Sequence, residues 1–236
     1  MTGTALDPDQ AAVRLAVYRG FADQGSPPSV AELAAQAGLA ETAVRSALQD
    51  LHDAHAIVLT PARDAVRMAH PFSAAPMGFV VRAEGPGPAG YAGDRMWWGG
   101  CAWDSFGIGA ALGEPVEIRT RCPGCGRDLT VPAGSAQPPG PDLAVRVPGP
   151  ARRWWDDVVG TCARIRLFCD RSHAEAWAAR AAPPPGGQVV PAVTVWRLAQ
   201  PWYGNRLDPD WSPRPIAAAQ RVLEQVGLTG DFWRLG

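Results

Sequence analysis

The amino-terminal part of the chain carries apolar residues at the spacing of an α-helix. Val13, Ala16, Val17 and Phe21 recur with helical periodicity, so they lie on one face of a helix. Gly25, followed closely by two prolines, ends this segment, because glycine and proline terminate helices. The pattern therefore predicts a first amphipathic helix.

Two further helices and a hairpin follow. The sequence Ser-Val-Ala-Glu at residues 29–32 is a capping box that opens a short helix, and apolar positions at helical spacing predict another helix over residues 41–55. The β-prone runs 57–60 and 65–68 predict a hairpin. Three helices followed by a two-stranded wing are typical of a winged helix-turn-helix domain, which we predict over residues 1–72.

The rest of the chain mixes short strands with helices. Residues 73–92 are rich in proline and glycine and predict a linker or crossing segment. A second domain, of mixed α/β structure, is predicted over residues 93–236, so the fold class is α+β. The predicted strands are residues 116–120, 129–131, 143–147, 161–169 and 189–195, and the predicted helices are residues 172–181 and 216–226.

Composition narrows the classes of function. The chain has 236 residues, of which 47% are hydrophobic and 19% charged, as is typical of a globular protein. Its formal net charge of −1 provides no general attraction for nucleic acid or an anionic membrane. Neither a membrane-spanning run nor a signal-peptide pattern is present, so we expect a cytoplasmic protein. The sequence does not predict an oligomeric state.

The charge of the third predicted helix argues against DNA binding. This helix would be the recognition helix of a winged-helix domain, and it offers Glu41, Arg45, Gln49, Asp50 and Asp53. Phosphate contacts need cationic side chains, whereas this surface is more acidic than basic. We therefore expect a structural or dimerising role for the amino-terminal domain.

One segment combines a thiol with a carboxyl group. Cys101 and Asp104 are three residues apart, at the start of a predicted helix that ends near Gly113. Helical residues at i and i+3 share a face, so the two side chains should point into the same space. A carboxylate beside a thiol can accept its proton and pass it on. The pair therefore predicts an acid/base site.

Aromatic residues surround this pair in the sequence. We expect them to exclude water, to favour the protonated form of Asp104 and to accept an apolar group. The candidate substrate-binding residues are Trp97, Trp98, Trp103 and Phe106.

The five cysteines favour free or metal-binding thiols. Cys122 and Cys125 form a Cys-Pro-Gly-Cys turn, which can provide two ligands of a structural zinc site. A zinc site normally needs a second such pair. Cys162 and Cys169 are too far apart to form one turn, although they could converge in space. None of the four histidines has ligand spacing with a cysteine. A zinc ion at Cys122 and Cys125 is one interpretation, and a simply reduced pair is the other.

A wider pattern connects these residues. Cys101 and Asp104 are followed by Cys162, which lies at the start of a predicted strand, and by a predicted helix that carries Ala-Glu-Ala-Trp at residues 174–177. This pattern, with the helical amino terminus, resembles organomercurial (alkylmercury) lyases of the MerB type. The resemblance covers most of the chain. The resemblance implies a non-catalytic, structural cysteine between the two catalytic ones, and Cys122 lies near that place. The Cys-Pro-Gly-Cys element of Cys122 and Cys125, and Cys169, are additions to the pattern of that family.

The resemblance implies cleavage of a carbon–mercury bond by protonolysis, within a catalytic domain over residues 93–236. It implies that Cys101 and Cys162 bind mercury and that Asp104 relays the proton. Mercury is a soft cation that prefers thiolate ligands, which fits these residue types. The implied substrate is a small organomercurial, no organic cofactor is required, and small thiols or a mercuric reductase would accept the Hg(II) product. Mercury resistance and detoxification are the implied roles.

Two alternatives remain open on the sequence. In the first, the chain is a paralogue that uses the same cysteine–aspartate–cysteine pocket on another substrate, for example in secondary metabolism. In the second, it is a thiol-metal binding protein or sensor with a winged helix, which would call for a basic recognition helix.

Overall fold

The computed structural model describes residues 5–83, 95–134, 136–180 and 186–236, and the following statements concern these residues. The α-helices are α1 (Pro8–Gln24), α2 (Val30–Ala37), α3 (Glu41–Asp53), α4 (Ala102–Leu112), α5 (Val158–Arg164), α6 (Arg171–Arg180), α7 (Ala192–Tyr203) and α8 (Ile216–Gln225). Short 3-10 helices cover Ala151–Arg153 and Asp231–Trp233. None of these helices is long and apolar enough to span a membrane.

The strands form two antiparallel sheets. They are β1 (Val58–Leu59), β2 (Val66–Ala69), β3 (Phe72–Ser73), β4 (Val80–Ala83), β5 (Met96–Gly99), β6 (Val116–Arg121), β7 (Asp128–Ala133), β8 (Ala144–Val147), β9 (Arg166–Phe168) and β10 (Gln188–Pro191). A seven-stranded sheet has the order β1-β2-β3-β5-β4-β6-β7, and a three-stranded sheet has the order β10-β8-β9. The fold is therefore α+β, as the sequence predicts.

The amino-terminal helices form where their local signals predict them. Ser29 and Glu32 make a reciprocal capping box at the start of α2, and Gly25 ends α1 in the left-handed conformation (φ 72°). The strands β1 and β2 pair as the predicted antiparallel hairpin. These elements follow from local chemistry, since caps and turns use side chains close in sequence.

The larger sheet continues across the predicted boundary at residue 72. Strand β3 pairs with β2 on one side and with β5 on the other, so the hairpin and the second half of the chain share one sheet. Strand β4 lies within the segment predicted as a linker, and residues 84–92 of that segment lie outside the described residues. The predicted domain boundaries stay a prediction.

Two strand predictions in the second half are wrong in part. Residues 161–164 belong to α5, and only Arg166–Phe168 is extended within the predicted strand 161–169. Likewise, strand β10 stops at Pro191, and residues 192–203 form α7. β-branched residues are common in strands, and the Val-Thr-Val sequence at 193–195 suggested a longer one. Burial of one face of α7 overrides that weak local preference.

Helices α4 and α7 pack closely because α4 carries a glycine at the contact. A Cβ atom built on Gly107 would overlap ring carbons of Tyr203. The ring of Tyr203 can therefore lie directly against the backbone of α4. This contact places the carboxyl end of α7 beside the start of α4.

We predict that Gly107→Ala destabilises the protein. Alanine normally stabilises a helix interior relative to glycine by about 1 kcal/mol. Here the added methyl group displaces Tyr203, and overpacking lowers the free energy of unfolding by about 1–3 kcal/mol. Urea denaturation measures the change. Gly109→Ala is the matched control, since its Cβ would meet Val116 at 3.0 Å, and its effect should be smaller. Equal stability of the Gly107→Ala variant and the wild type would contradict this packing.

Candidate active site

Cys101 lies at the start of α4, where the chain leaves β5. It is the N-cap residue, in extended conformation, and its sulfur accepts a hydrogen bond from the backbone N–H of Asp104 at 3.3 Å. The expectation that both residues share a helical face is therefore corrected, since only Asp104 is within the helix. The capping geometry still brings the two side chains together, with Cys101 Sγ 3.2 Å from Asp104 Oδ2.

Cys162 reaches the same carboxylate from α5. Its sulfur lies 3.7 Å from Asp104 Oδ2, the same oxygen that the Cys101 sulfur contacts. A backbone hydrogen bond from Ala102 N to Ile165 O, of 3.1 Å, ties the start of α4 to the end of α5. The structure thus brings together Cys101, Asp104 and Cys162, and all three are buried.

Two residues that sequence reasoning missed also contact Asp104. The hydroxyl group of Tyr203, at the end of α7, donates to Asp104 Oδ1 at 2.6 Å. His70, in the turn between β2 and β3, places Nδ1 3.2 Å from Oδ2 and 3.3 Å from Oδ1. No short-range pattern relates His70 or Tyr203 to Asp104, because the contacts are set by the tertiary fold.

These contacts keep Asp104 ionised although it is only 1% exposed. Burial by itself raises the pKa of a carboxyl group. Here the charge of His70 and the hydrogen bonds from His70, Tyr203 and Cys101 outweigh burial and lower the pKa of Asp104 below its ordinary value. The expectation that the surroundings favour the protonated acid is therefore wrong.

The thiols and the phenol remain protonated beside this carboxylate. Burial, the Cys162 contact and the charge of Asp104 raise the pKa of Cys101 well above its ordinary value. The neighbouring Cys101 lowers the pKa of Cys162, but burial and the charge of Asp104 outweigh this effect, so the pKa of Cys162 is also raised. Burial and Asp104 likewise raise the pKa of Tyr203. The site at rest is thus a carboxylate surrounded by donors.

A cavity of about 640 Å³ opens onto the carboxylate and the two sulfurs. Trp103 lines it, and the ring of Trp103 packs against those of Trp202 and Tyr203 at centroid distances of 5.0 and 5.6 Å. Further aromatic lining comes from Trp154, Trp155 and Trp211. An apolar wall with a few convergent polar groups is typical of a small-molecule site.

The other three candidate substrate-binding residues lie elsewhere. Trp97 is buried against α1, where its Nε1 donates to Phe21 O at 2.9 Å. Phe106 is buried in the core, and Trp98 is half-buried on β5. None of the three is among the described residues that line the cavity. Successive strand residues face opposite sides of a sheet, and Phe106 faces the core from α4, so closeness in sequence does not bring these rings to the carboxylate.

Cys122 and Cys125 lie together in the turn between β6 and β7, and they are not among the described residues that line the cavity. Cys169 joins them, directly after β9, with its sulfur 3.5 Å from that of Cys122. The chain thus has two separate thiol clusters.

We predict that the stability contribution of Asp104 depends on pH. A native pKa below the unfolded value gives stability that is present above about pH 4 and is lost as the pH falls through the native pKa. The difference in free energy of unfolding between the wild type and Asp104→Asn should therefore shrink between about pH 5 and about pH 2. Denaturant titrations at several pH values measure it.

Asp128→Asn is the control, because that side chain is 81% exposed and its substitution should have little effect at any pH. A difference that grows as the pH falls would show that native Asp104 is protonated.

The chain is similar to known proteins in sequence and in fold. The profile of the family described as MerB, alkylmercury lyase, matches residues 72–204, which is more than half of the chain. The solved structure titled as the mercury-bound form of MerB2 has the same fold, with a TM-score of 0.61 and 21% sequence identity, over 86% of this chain and 91% of that chain. None of the curated proteins matches the chain. The family match is decisive, and the chain belongs to the alkylmercury lyases, which are carbon–mercury lyase enzymes.

Proposed function

We propose that this protein is an organomercurial lyase that cleaves the carbon–mercury bond by protonolysis. Cys101 and Cys162 bind mercury as thiolates, and Asp104 relays the proton. One observation carries the proposal: both buried sulfurs contact the same oxygen of a carboxylate that is held ionised. A soft metal fits the thiols, and an ionised carboxylate beside protonated thiols can accept a proton when mercury binds.

The proposed reaction balances in protons. The substrate R–Hg–SR′ exchanges its thiolate for one active-site thiol, and R′SH leaves with the proton of that thiol. The second thiol then transfers its proton to Asp104 and bonds to mercury. Asp104 gives this proton to the carbon as the carbon–mercury bond breaks. The hydrocarbon R–H leaves, Hg(II) is held by two thiolates, and Asp104 is a carboxylate again.

His70 and Tyr203 are proposed as positioning residues. They donate to the carboxylate from two directions, so one oxygen stays directed towards the two sulfurs. The same contacts stabilise the charge of Asp104 before the substrate binds. Each therefore acts through Asp104.

The aromatic wall supports binding of an apolar alkyl or aryl group. Trp103, Trp154, Trp155 and Trp202 offer ring surface around the sulfurs, and they exclude water from a carbon that must be protonated. The proposed substrate is a small organomercurial, and the reaction uses no organic cofactor. Small thiols or a mercuric reductase would remove Hg(II), which fits a cytoplasmic role in mercury detoxification and resistance.

The amino-terminal helices and hairpin are proposed to form a winged-helix-like unit with a structural role. Arg45, on α3, is paired with Glu41 at 3.3 Å, so this cation is already partly neutralised. The surface offers little attraction for phosphate groups. This argues against the sensor alternative, which depends on DNA binding.

The size of the cavity favours a second candidate function, the cleavage of a bulkier substrate by a paralogue. A volume of about 640 Å³ is much larger than methylmercury needs. A paralogue that acts on a bulkier substrate with the same three residues would also fit this volume. Turnover of substrates of different size separates the two hypotheses.

We predict hydrocarbon release from methylmercury and phenylmercury under anaerobic conditions with excess small thiol. Methane and benzene, measured by gas chromatography, report the reaction. Asp104→Asn should lower turnover by about 10²–10⁴-fold, because proton transfer in the transition state contributes this much. Cys101→Ser and Cys162→Ser should each abolish turnover, since a serine hydroxyl is a poor ligand for mercury. Mercury binding by the wild type without hydrocarbon release would favour the paralogue.

We also predict that Tyr203→Phe shifts the pH profile. Loss of the phenolic donor raises the pKa of Asp104, so activity on the acidic side should fall at a higher pH than in the wild type. Turnover should fall less than in Asp104→Asn, because the carboxylate is retained. An unshifted profile with reduced turnover would mean that Tyr203 contributes only packing.

A further inference from the structure

The second thiol cluster lies where the two sheets meet. It consists of Cys122, Cys125 and Cys169, whose sulfur atoms all lie within 4.8 Å of one another. Cys169 Sγ is 3.5 Å from Cys122 Sγ and 3.6 Å from Cys125 Sγ. A fourth donor is close to one of these sulfurs, since His173, in the first turn of α6, places Nδ1 3.2 Å from Cys169 Sγ. His173 lies outside the group of three mutually close sulfurs. The expectation that no histidine has ligand spacing with a cysteine is corrected by this contact.

The turn that carries Cys122 and Cys125 is closed by two backbone hydrogen bonds. Cys122 N donates to Arg127 O, and Gly126 N, in left-handed conformation (φ 78°), donates to Cys122 O, both at 2.8 Å. This closed turn lets both of its sulfurs approach that of Cys169.

The turn also fits closely against helix α6. A Cβ atom on Gly124 would lie 2.7 Å from His173 Cβ, so only glycine allows this approach. Arg180, at the other end of α6, donates to Gly124 O at 3.3 Å. The Cys-Pro-Gly-Cys turn and the first turn of α6 are thus held face to face.

We propose that Cys122, Cys125, Cys169 and His173 bind one zinc ion. Zinc in structural sites is tetrahedral, with bonds of about 2.3 Å to sulfur, so its sulfur ligands lie about 3.8 Å apart. The two measured separations are close to this value. Three cysteines and one histidine form a common set of structural zinc ligands.

Asp170 offers an oxygen that could also bind zinc, but its Oδ1 caps helix α6. Its Oδ1 accepts hydrogen bonds from His173 N and Ser172 Oγ, both at 2.7 Å, which caps α6. Its Oδ2 lies 2.6 Å from His173 Nδ1. This second oxygen, which the cap does not use, also lies 3.6 Å from Cys169 Sγ. Because three cysteines and one histidine are a common set of structural zinc ligands, His173 Nδ1 is the proposed fourth ligand, and it would exchange its contact with Asp170 for the metal.

The zinc ion would connect the two sheets. Cys122 and Cys125 follow β6 of the larger sheet, and Cys169 follows β9 of the smaller one. Cys162, on α5, lies shortly before β9. A metal at this junction thus fixes the segment that delivers one active-site thiol, without taking part in the reaction.

Metal analysis of the full chain tests the site. The protein is expressed without added mercury, purified with a thiol reductant and analysed by inductively coupled plasma mass spectrometry. We expect about one zinc ion per chain. Cys125→Ser, Cys169→Ser and His173→Ala should lose most of the zinc, whereas Asp170→Asn and the active-site variant Cys162→Ser should retain it. Cys125 is exposed, so its replacement is the mildest for folding.

Two measurements do not depend on variants that might misfold. Cobalt(II) added to metal-free wild type should give the visible absorption of a tetrahedral thiolate site. Removal of zinc by a chelator should lower the Tm of the wild type by about 5–10 °C, and a metal-free Cys125→Ser variant should not respond. Wild-type protein that contains no zinc and whose five thiols all react, or zinc content unchanged by the Cys125 and Cys169 variants, would overturn the proposal. The lyase assay is independent, so either proposal can fail alone.

Discussion

The buried carboxylate of Asp104 is the constraint on which the site depends. An isolated charge in the protein interior is strongly unfavourable, and it persists only where donors surround it. Those donors come from four parts of the chain: Cys101 before α4, Cys162 on α5, His70 between β2 and β3, and Tyr203 at the end of α7. The candidate site therefore forms only when all four elements are in place.

Helix α1 contacts two of the segments that carry these donors. Tyr18, on α1, is fully buried, and its hydroxyl group contacts His70 O at 3.0 Å. Trp97 donates its indole N–H to Phe21 O, which joins α1 to the strand that leads to Cys101. A substituent on Gly100 would meet the Asp104 carboxylate, so the chain between that strand and α4 has little freedom. Helix α1 thus holds the backbone at His70 and the strand that leads to Cys101, which are the two segments next to the carboxylate.

Much of the fold could be predicted because its signals are local. The capping box at the start of α2, the left-handed Gly25 and the amphipathic period of α3 each depend on residues a few positions apart. The prediction from the sequence was wrong at α5 and α7, where residues predicted to be in strands are helical. Helix α5 has only seven residues, which is too few for a periodic pattern. In α7 β-branched residues favour a strand, and packing against α4 decides otherwise.

The sequence by itself determined the candidate groups of the site: a thiol and a carboxyl three residues apart, a second thiol, and a resemblance that joins them. The tertiary structure decided their environment. Tyr203 is 99 positions from Asp104 and His70 is 34 positions away, and no periodicity links such residues. These two contacts, together with the hydrogen bond from Cys101, reverse the expected protonation of Asp104. Burial and hydrogen bonding set a pKa, and both are properties of the folded chain.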